Sequence, residues 1–139
     1  MKLNFQVDGG NFAKAGVASS EVKKVLKKLG VPPMIIRRIV VALYEAEVNI
    51  VAHAQQGFIS VDVHHDKVEI ELRDKGPGIG DISQAMQEGF STASEEVRAM
   101  GFGAGMGLPN IKKNADELNI ESKVGEGTTV HITNYFAKP

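Results

Sequence analysis

Hydrophobic and polar positions alternate near both ends of the chain and recur at helical spacing through its middle. Leu3, Phe5 and Val7 alternate with polar residues, the period of a half-buried strand, and Gly9 and Gly10 end it. Val22, Val25, Leu26 and Leu29 then form a helical stripe, with Ser19 or Ser20 as the expected N-cap and Gly30 as the stop. The longest predicted element runs from Pro33 to Gln55, opened by a proline that suits a first helical turn. Ile36, Ile39, Leu43, Ala46, Ile50 and Ala54 fall on one side of it, the side expected to pack on a core. Arg38, Glu45, Asn49 and His53 gather on the other. Ile59, Val61 and Val63 alternate before His64-His65-Asp66-Lys67, and Val68, Ile70 and Leu72 alternate after it, which predicts a β-hairpin. A helix is expected over 109–118, with Ile111, Ala115 and Leu118 on one face. Ile120, Ser122 and Val124 make a strand, Gly125-Glu126-Gly127 a turn, and Thr128 to Phe136 a long alternating last strand.

Antiparallel hairpins with helices between them predict an α+β fold. The expected architecture is a two-layer α/β sandwich, a mixed, mostly antiparallel sheet with helices on one face. At 139 residues the chain is read as one domain, 1–139. Sixteen basic residues against seventeen acidic ones leave a net charge of -1. That balance offers no surplus for nucleic acid or an anionic membrane. The absence of cysteine excludes disulfides and thiolate chemistry and fits a reducing compartment. The longest apolar run, Ile39 to Leu43, is too short to span a bilayer, and the alternating N-terminus is unlike a signal peptide. A cytoplasmic protein is expected.

Candidate chemistry lies in three stretches. In Met100 to Pro109 four glycines alternate with other residues and run into a helix start, an arrangement that suits a phosphate. The glycine spacing does not fit the dinucleotide fingerprint, and no Gly-Lys-Ser/Thr exists for a P-loop. On the long helix, Glu45 and Asn49 are either part of a solvated face or a carboxylate and a carboxamide turned to a ligand. Asp74 ends the hairpin and precedes Gly76 and Gly78, which is either a tight turn or a carboxylate aimed into a cleft. His64 and His65 are poor joint metal ligands, because strand neighbours point to opposite faces. Residues 81–100 are polar, with a helical tendency from Glu95 to Met100. Arg98 is the sole basic residue between Lys75 and Lys112, either an exposed helix residue or the partner of a terminal phosphate.

Taken together these stretches resemble the GHKL (Bergerat-fold) ATPases. Glu45-x-x-x-Asn49-x-x-x-His53 is similar to their N box and Asp74-x-Gly76-x-Gly78 to their G1 box. Gly101-x-Gly103-x-Gly105-x-Gly107 is similar to the G2 box and Gly125-x-Gly127-Thr128-Thr129 to the terminal Gly-Thr motif. Each is weak alone, but four in the right order span nearly the whole chain. No dimerisation helix pair for a sensor histidine kinase is evident. Phe90-Ser91-Thr92 and Gly105-Met106-Gly107-Leu108-Pro109 resemble instead the bacterial anti-sigma factor and switch-protein serine kinases.

The resemblance implies ATP and Mg²⁺ as cofactors and transfer of phosphate to a protein serine. Asn49 would hold Mg²⁺, a hard ion that takes oxygen ligands. Glu45 would orient or deprotonate the attacking hydroxyl. Asp74 would accept the adenine amino group, with Gly76 and Gly78 letting the base lie against backbone. Gly101, Gly103, Gly105 and Gly107, with Leu108 at the helix start, would close over the phosphates. Thr128 or Thr129 would support Asp74 or the adenine edge, and His53 would be structural or phosphate-adjacent. The implied partner is a STAS-domain antagonist protein, with a sigma factor or stress-signalling scaffold as a further one. The apolar residues of the first strand and helix serve either a homodimer interface or only the core. An anti-sigma factor or scaffold-binding module gated by nucleotide, without catalysis, is the alternative.

Overall fold

A computed structural model describes residues 1–78 and 107–137. In chain order it contains β1 (Lys2–Asp8), a 3-10 turn (Phe12–Lys14), α1 (Val17–Lys28), α2 (Pro33–His53), β2 (Gln56–Val63) and β3 (Lys67–Lys75). After the intervening segment come α3 (Gly107–Asn114), β4 (Glu117–Lys123) and β5 (Gly127–Tyr135). The strands form one sheet in the order β1-β2-β3-β5-β4. Every pairing is antiparallel, so the described sheet is not mixed as expected.

Period-two alternation decides the faces of this sheet. Val7, Ile59, Val61, Val63, Val68, Ile70, Leu72, Val130 and Ile132 are buried on one side, while the residues between them stay more open. Onto that apolar face α2 lays Ile36, Ile39, Leu43, Ala46 and Ile50, all buried. α2 occupies the middle of the helical layer, packed between α1 and α3, with Leu26 and Ile111 fully buried in the same core. This is a two-layer sandwich with its helices on one face. No described helix is long and apolar enough to cross a membrane.

Two predicted boundaries differ from the structure. α1 begins at Val17 behind Gly16, which has φ +96°, so neither Ser19 nor Ser20 is the N-cap. The helix expected over 109–118 starts at Gly107 and stops at Asn114, which places Leu118 in β4 instead. The stop is imposed by the sheet. Asn134 Nδ2 donates to the Asn114 carbonyl at 2.8 Å, and the Asp116 N–H donates to Thr133 O at 3.1 Å. The Asp116 carboxylate also accepts from the Tyr135 N–H at 2.8 Å and from Arg38 at 2.9 Å. Burial pushes the Asp116 carboxyl up, but these two donors outweigh it and hold it below its usual range. A chain caught at Asn114 and Asp116 has left the helix before Leu118 is reached.

Candidate nucleotide site

Glu45, Asn49 and His53 recur at i, i+4 along one side of α2, and all three are half-buried rather than solvated. Asn110, in α3, donates from Nδ2 to Glu45 Oε1 at 3.3 Å. Burial raises the Glu45 carboxyl above its usual range, and the Asn110 hydrogen bond partly opposes that rise. His53 closes α2, and burial lowers its pKa, which favours the neutral imidazole.

Asp74 lies near the end of β3, opposite Gly57 of β2. A Cβ at Gly57 would come within 2.7 Å of Ile50, so glycine lets the strand end close on α2. The Thr128 N–H donates to Asp74 Oδ1 at 3.1 Å, and Thr128 Oγ1 lies 2.9 Å from Ser122 Oγ. Burial pushes the Asp74 carboxyl up, with the Thr128 hydrogen bond acting against it. Of the two threonines, therefore, Thr128 is the one beside Asp74. Thr129 is its strand neighbour, pairs with Arg73, and points to the opposite face of the sheet.

The glycines near Asp74 have protein neighbours of their own. A Cβ at Gly76 would sit 3.1 Å from Ala54 Cα, at the end of α2. Gly78, at φ +74°, passes the turn after β4, where a Cβ would overlap the Lys123 carbonyl oxygen. At Gly127 (φ +144°) a Cβ would overlap the carbonyl oxygen of Asp74. These positions keep the walls around Asp74 thin by letting backbone touch backbone. Gly127→Ala is expected to lower stability by about 2–4 kcal/mol, from backbone strain and a clash that no side chain can relieve. Urea unfolding measures it, and a loss below about 0.5 kcal/mol, the ordinary surface range, would refute this packing role.

Gly101, Gly103 and Gly105 lie outside the described residues, as do Arg98 and the segment Phe90 to Thr92. Gly107 opens α3, and Leu108 is partly buried against the core.

One functional carboxylate escapes the sequence reading. Glu47, two residues from Glu45, is only 1% exposed. Its Oε2 accepts from the N–H groups of Gly16 (3.0 Å) and Ala18 (3.1 Å). Its Oε1 accepts from the Ser19 N–H (3.2 Å) and Ser19 Oγ (2.6 Å). Glu47 is thus the N-terminal cap of α1, supplied from another helix. In the structure the first turn of α1 has no acidic residue and no side-chain cap of its own, which the expected Ser19 or Ser20 cap concealed.

Among the described residues, Asp74 is held at a strand end by Thr128, and Glu45, one helical turn from Asn49 on α2, meets Asn110 of α3. The family model for the histidine kinase-like ATPase domain matches residues 11–134. The chain belongs to this family. Among histidine kinase-like ATPase relatives, the serine/threonine-protein kinase RsbT of Bacillus subtilis is 36% identical over 118 residues, covering 82% of this chain and 83% of that one. An anti-sigma F factor of Thermoanaerobacter sp. is 36% identical over 145 residues, covering 98% and 93% respectively. In the crystal structure of the RsbU and RsbW domains of Rv1364c from Mycobacterium tuberculosis, the same fold recurs at a TM-score of 0.67 and 18% identity. That match covers all of this chain and 33% of the larger one. The mycobacterial sensor histidine kinase MprB matches at a TM-score of 0.56 and 16% identity, covering 96% of this chain and 97% of that one. Membership of this ATPase family implies use of ATP.

Proposed function

We propose that this chain is an ATP-dependent protein serine/threonine kinase that phosphorylates a STAS-type antagonist of an anti-sigma factor and so regulates sigma-factor-dependent transcription. The observation that carries the reading is Glu45. A module that only binds nucleotide does not need a half-buried carboxylate, its carboxyl raised by burial and hydrogen-bonded to Asn110 of α3. The names of the serine kinase and anti-sigma relatives support the same activity and partner class.

In this reading Asp74 accepts the adenine amino group, its geometry fixed by the Thr128 N–H. Glu45 takes the proton of the attacking serine hydroxyl as the oxygen–phosphorus bond forms and ADP leaves. Asn49 presents a hard carboxamide oxygen one turn from Glu45 and would hold Mg²⁺. The ion would neutralise charge on the transferring phosphoryl group. Gly101, Gly103, Gly105 and Gly107, with Leu108, line the phosphates. Gly76, Gly78 and Thr128 surround the base, while Thr129 braces the strand from its other face and His53 closes α2. The protein works in the cytoplasm as one domain, 1–139, alone or as a homodimer, with a sigma factor or stress-signalling scaffold as a further partner.

The anti-sigma names among the relatives favour a second reading, in which the nucleotide state controls how a sigma factor is held. Incubation with Mg-ATP labelled at the γ-phosphate and a STAS-domain antagonist from the same organism separates the two. Label on an antagonist serine is the expected result. Sigma-factor binding that responds to nucleotide, without any label transfer, would replace the kinase reading with the second.

A further inference from the structure

We propose that Asn110 is a positioning residue for the general base Glu45, an inference that rests on the kinase reading above. The hydrogen bond of 3.3 Å from Asn110 Nδ2 to Glu45 Oε1 joins α3 to α2. An ionised carboxylate only accepts hydrogen bonds, so the amide must turn its NH₂ toward Glu45. One N–H then occupies one lone pair of Oε1 and leaves Oε2 for a substrate hydroxyl. A carboxylate side chain with several rotatable bonds is held by that contact in one orientation, which a base needs more than added basicity.

What gives Asn110 a fixed place is a chain of carboxamides leading back to the sheet. Asn134 of β5, 1% exposed, donates from Nδ2 to Asn114 O at 2.8 Å. Asn114 donates from Nδ2 to Asn110 O, also at 2.8 Å. The next residues are anchored as well, since the Asp116 carboxylate accepts from Arg38 on α2 and from the Tyr135 N–H on β5. α3 is therefore pinned at its C-terminal end, both in rotation and along its axis. Asn110, one turn earlier, meets Glu45 as a consequence. The described hydrogen bonds of Asn110 reach Glu45 and Asn114, not Asp74 or Asn49, so its variants are expected to act on transfer more than on nucleotide binding.

The test is single-turnover transfer from γ-labelled Mg-ATP to a STAS-domain antagonist of the same organism, with Mg-ATP affinity and melting temperature measured alongside. Asn110→Ala should slow transfer about 10-fold, the loss expected for one hydrogen bond to a charged group. Mg-ATP affinity should stay within two-fold. Asn110→Asp keeps the shape and removes the donor, and should slow transfer at least as much. In a Glu45→Ala background Asn110→Ala should cost nothing more, because residues that act as a unit are not additive. A wild-type rate in both Asn110 variants, with Glu45→Ala inactive, overturns the assignment alone. An equal loss in the presence and absence of Glu45 also overturns it. Wild-type protein that transfers no phosphate overturns the kinase reading and this assignment together.

Discussion

Glu47→Ala is expected to lower the stability of the domain by about 3–5 kcal/mol, more than Gly127→Ala. Four donors converge on this carboxylate, three of them backbone N–H groups at the start of α1. A helix N-terminus leaves its first N–H groups without intrahelical partners, and Gly16 offers no side chain in their place. Removing the acceptor strands those donors in a site where Ser19 is 3% exposed and Ala18 is 1% exposed, so water replaces it poorly. Domains of this kind have roughly 5–15 kcal/mol in total, so the variant sits near the unfolding threshold. Glu47→Gln should lose less, since one amide oxygen still accepts while the NH₂ faces the donors. Urea midpoints with unchanged slopes report the difference directly. A loss under about 1 kcal/mol for Glu47→Ala would mean that α1 does not depend on this contact.

Glu45→Ala is expected to slow phosphate transfer by about 10²–10⁴-fold while leaving Mg-ATP affinity within two-fold. The two carboxylates are two residues apart on one helix and have opposite tasks. Glu47 faces α1 and meets only donors, whereas Glu45 faces α3, accepts one hydrogen bond from Asn110, and has a carboxyl raised by burial. A base acts in its ionised form, and burial favours the protonated one. Transfer should therefore rise with pH through an ionisation above the ordinary glutamate value of 4.5. Glu45→Ala should remove that limb along with the rate. Transfer that survives in the variant with the same acid limb would assign the proton to another group.

Much of this arrangement is legible in the amino-acid sequence. Alternation in β1, β2, β3 and β5 announces the strands, because one face of the sheet is packed and the other is not. The long helix shows its buried stripe for the same reason. The family resemblance singles out Glu45, Asn49 and Asp74, and all three occupy half-buried positions. What the pattern does not disclose is long-range. The end of α3 is decided by Asn134 and Asp116, which lie 20 residues away in sequence or act through the sheet. Glu47 sits on a helix flank beside Ala46 and Val48, and periodicity cannot tell a carboxylate facing solvent from one capping another helix 28 residues earlier. Thr128 and Thr129 are equivalent as sequence, and only the register against β3 separates them. The glycines around Asp74 suggest room for a base, while the structure adds that Gly57, Gly76 and Gly127 let protein segments touch each other there.

Calorimetric titration of Mg-ATP into the wild-type protein, Asp74→Asn and Glu45→Ala tests the proposed division of labour, with Asp74 binding the base and Glu45 serving the chemistry. Asp74→Asn retains an oxygen for the Thr128 N–H, so the fold should be kept while the carboxylate proposed to accept the adenine amino group is lost. The predicted result is wild-type binding, a weakening of about 5- to 150-fold in Asp74→Asn, equivalent to about 1–3 kcal/mol, and wild-type affinity in Glu45→Ala. Equal affinity in the wild type and Asp74→Asn would contradict this division, as would loss of binding in Glu45→Ala.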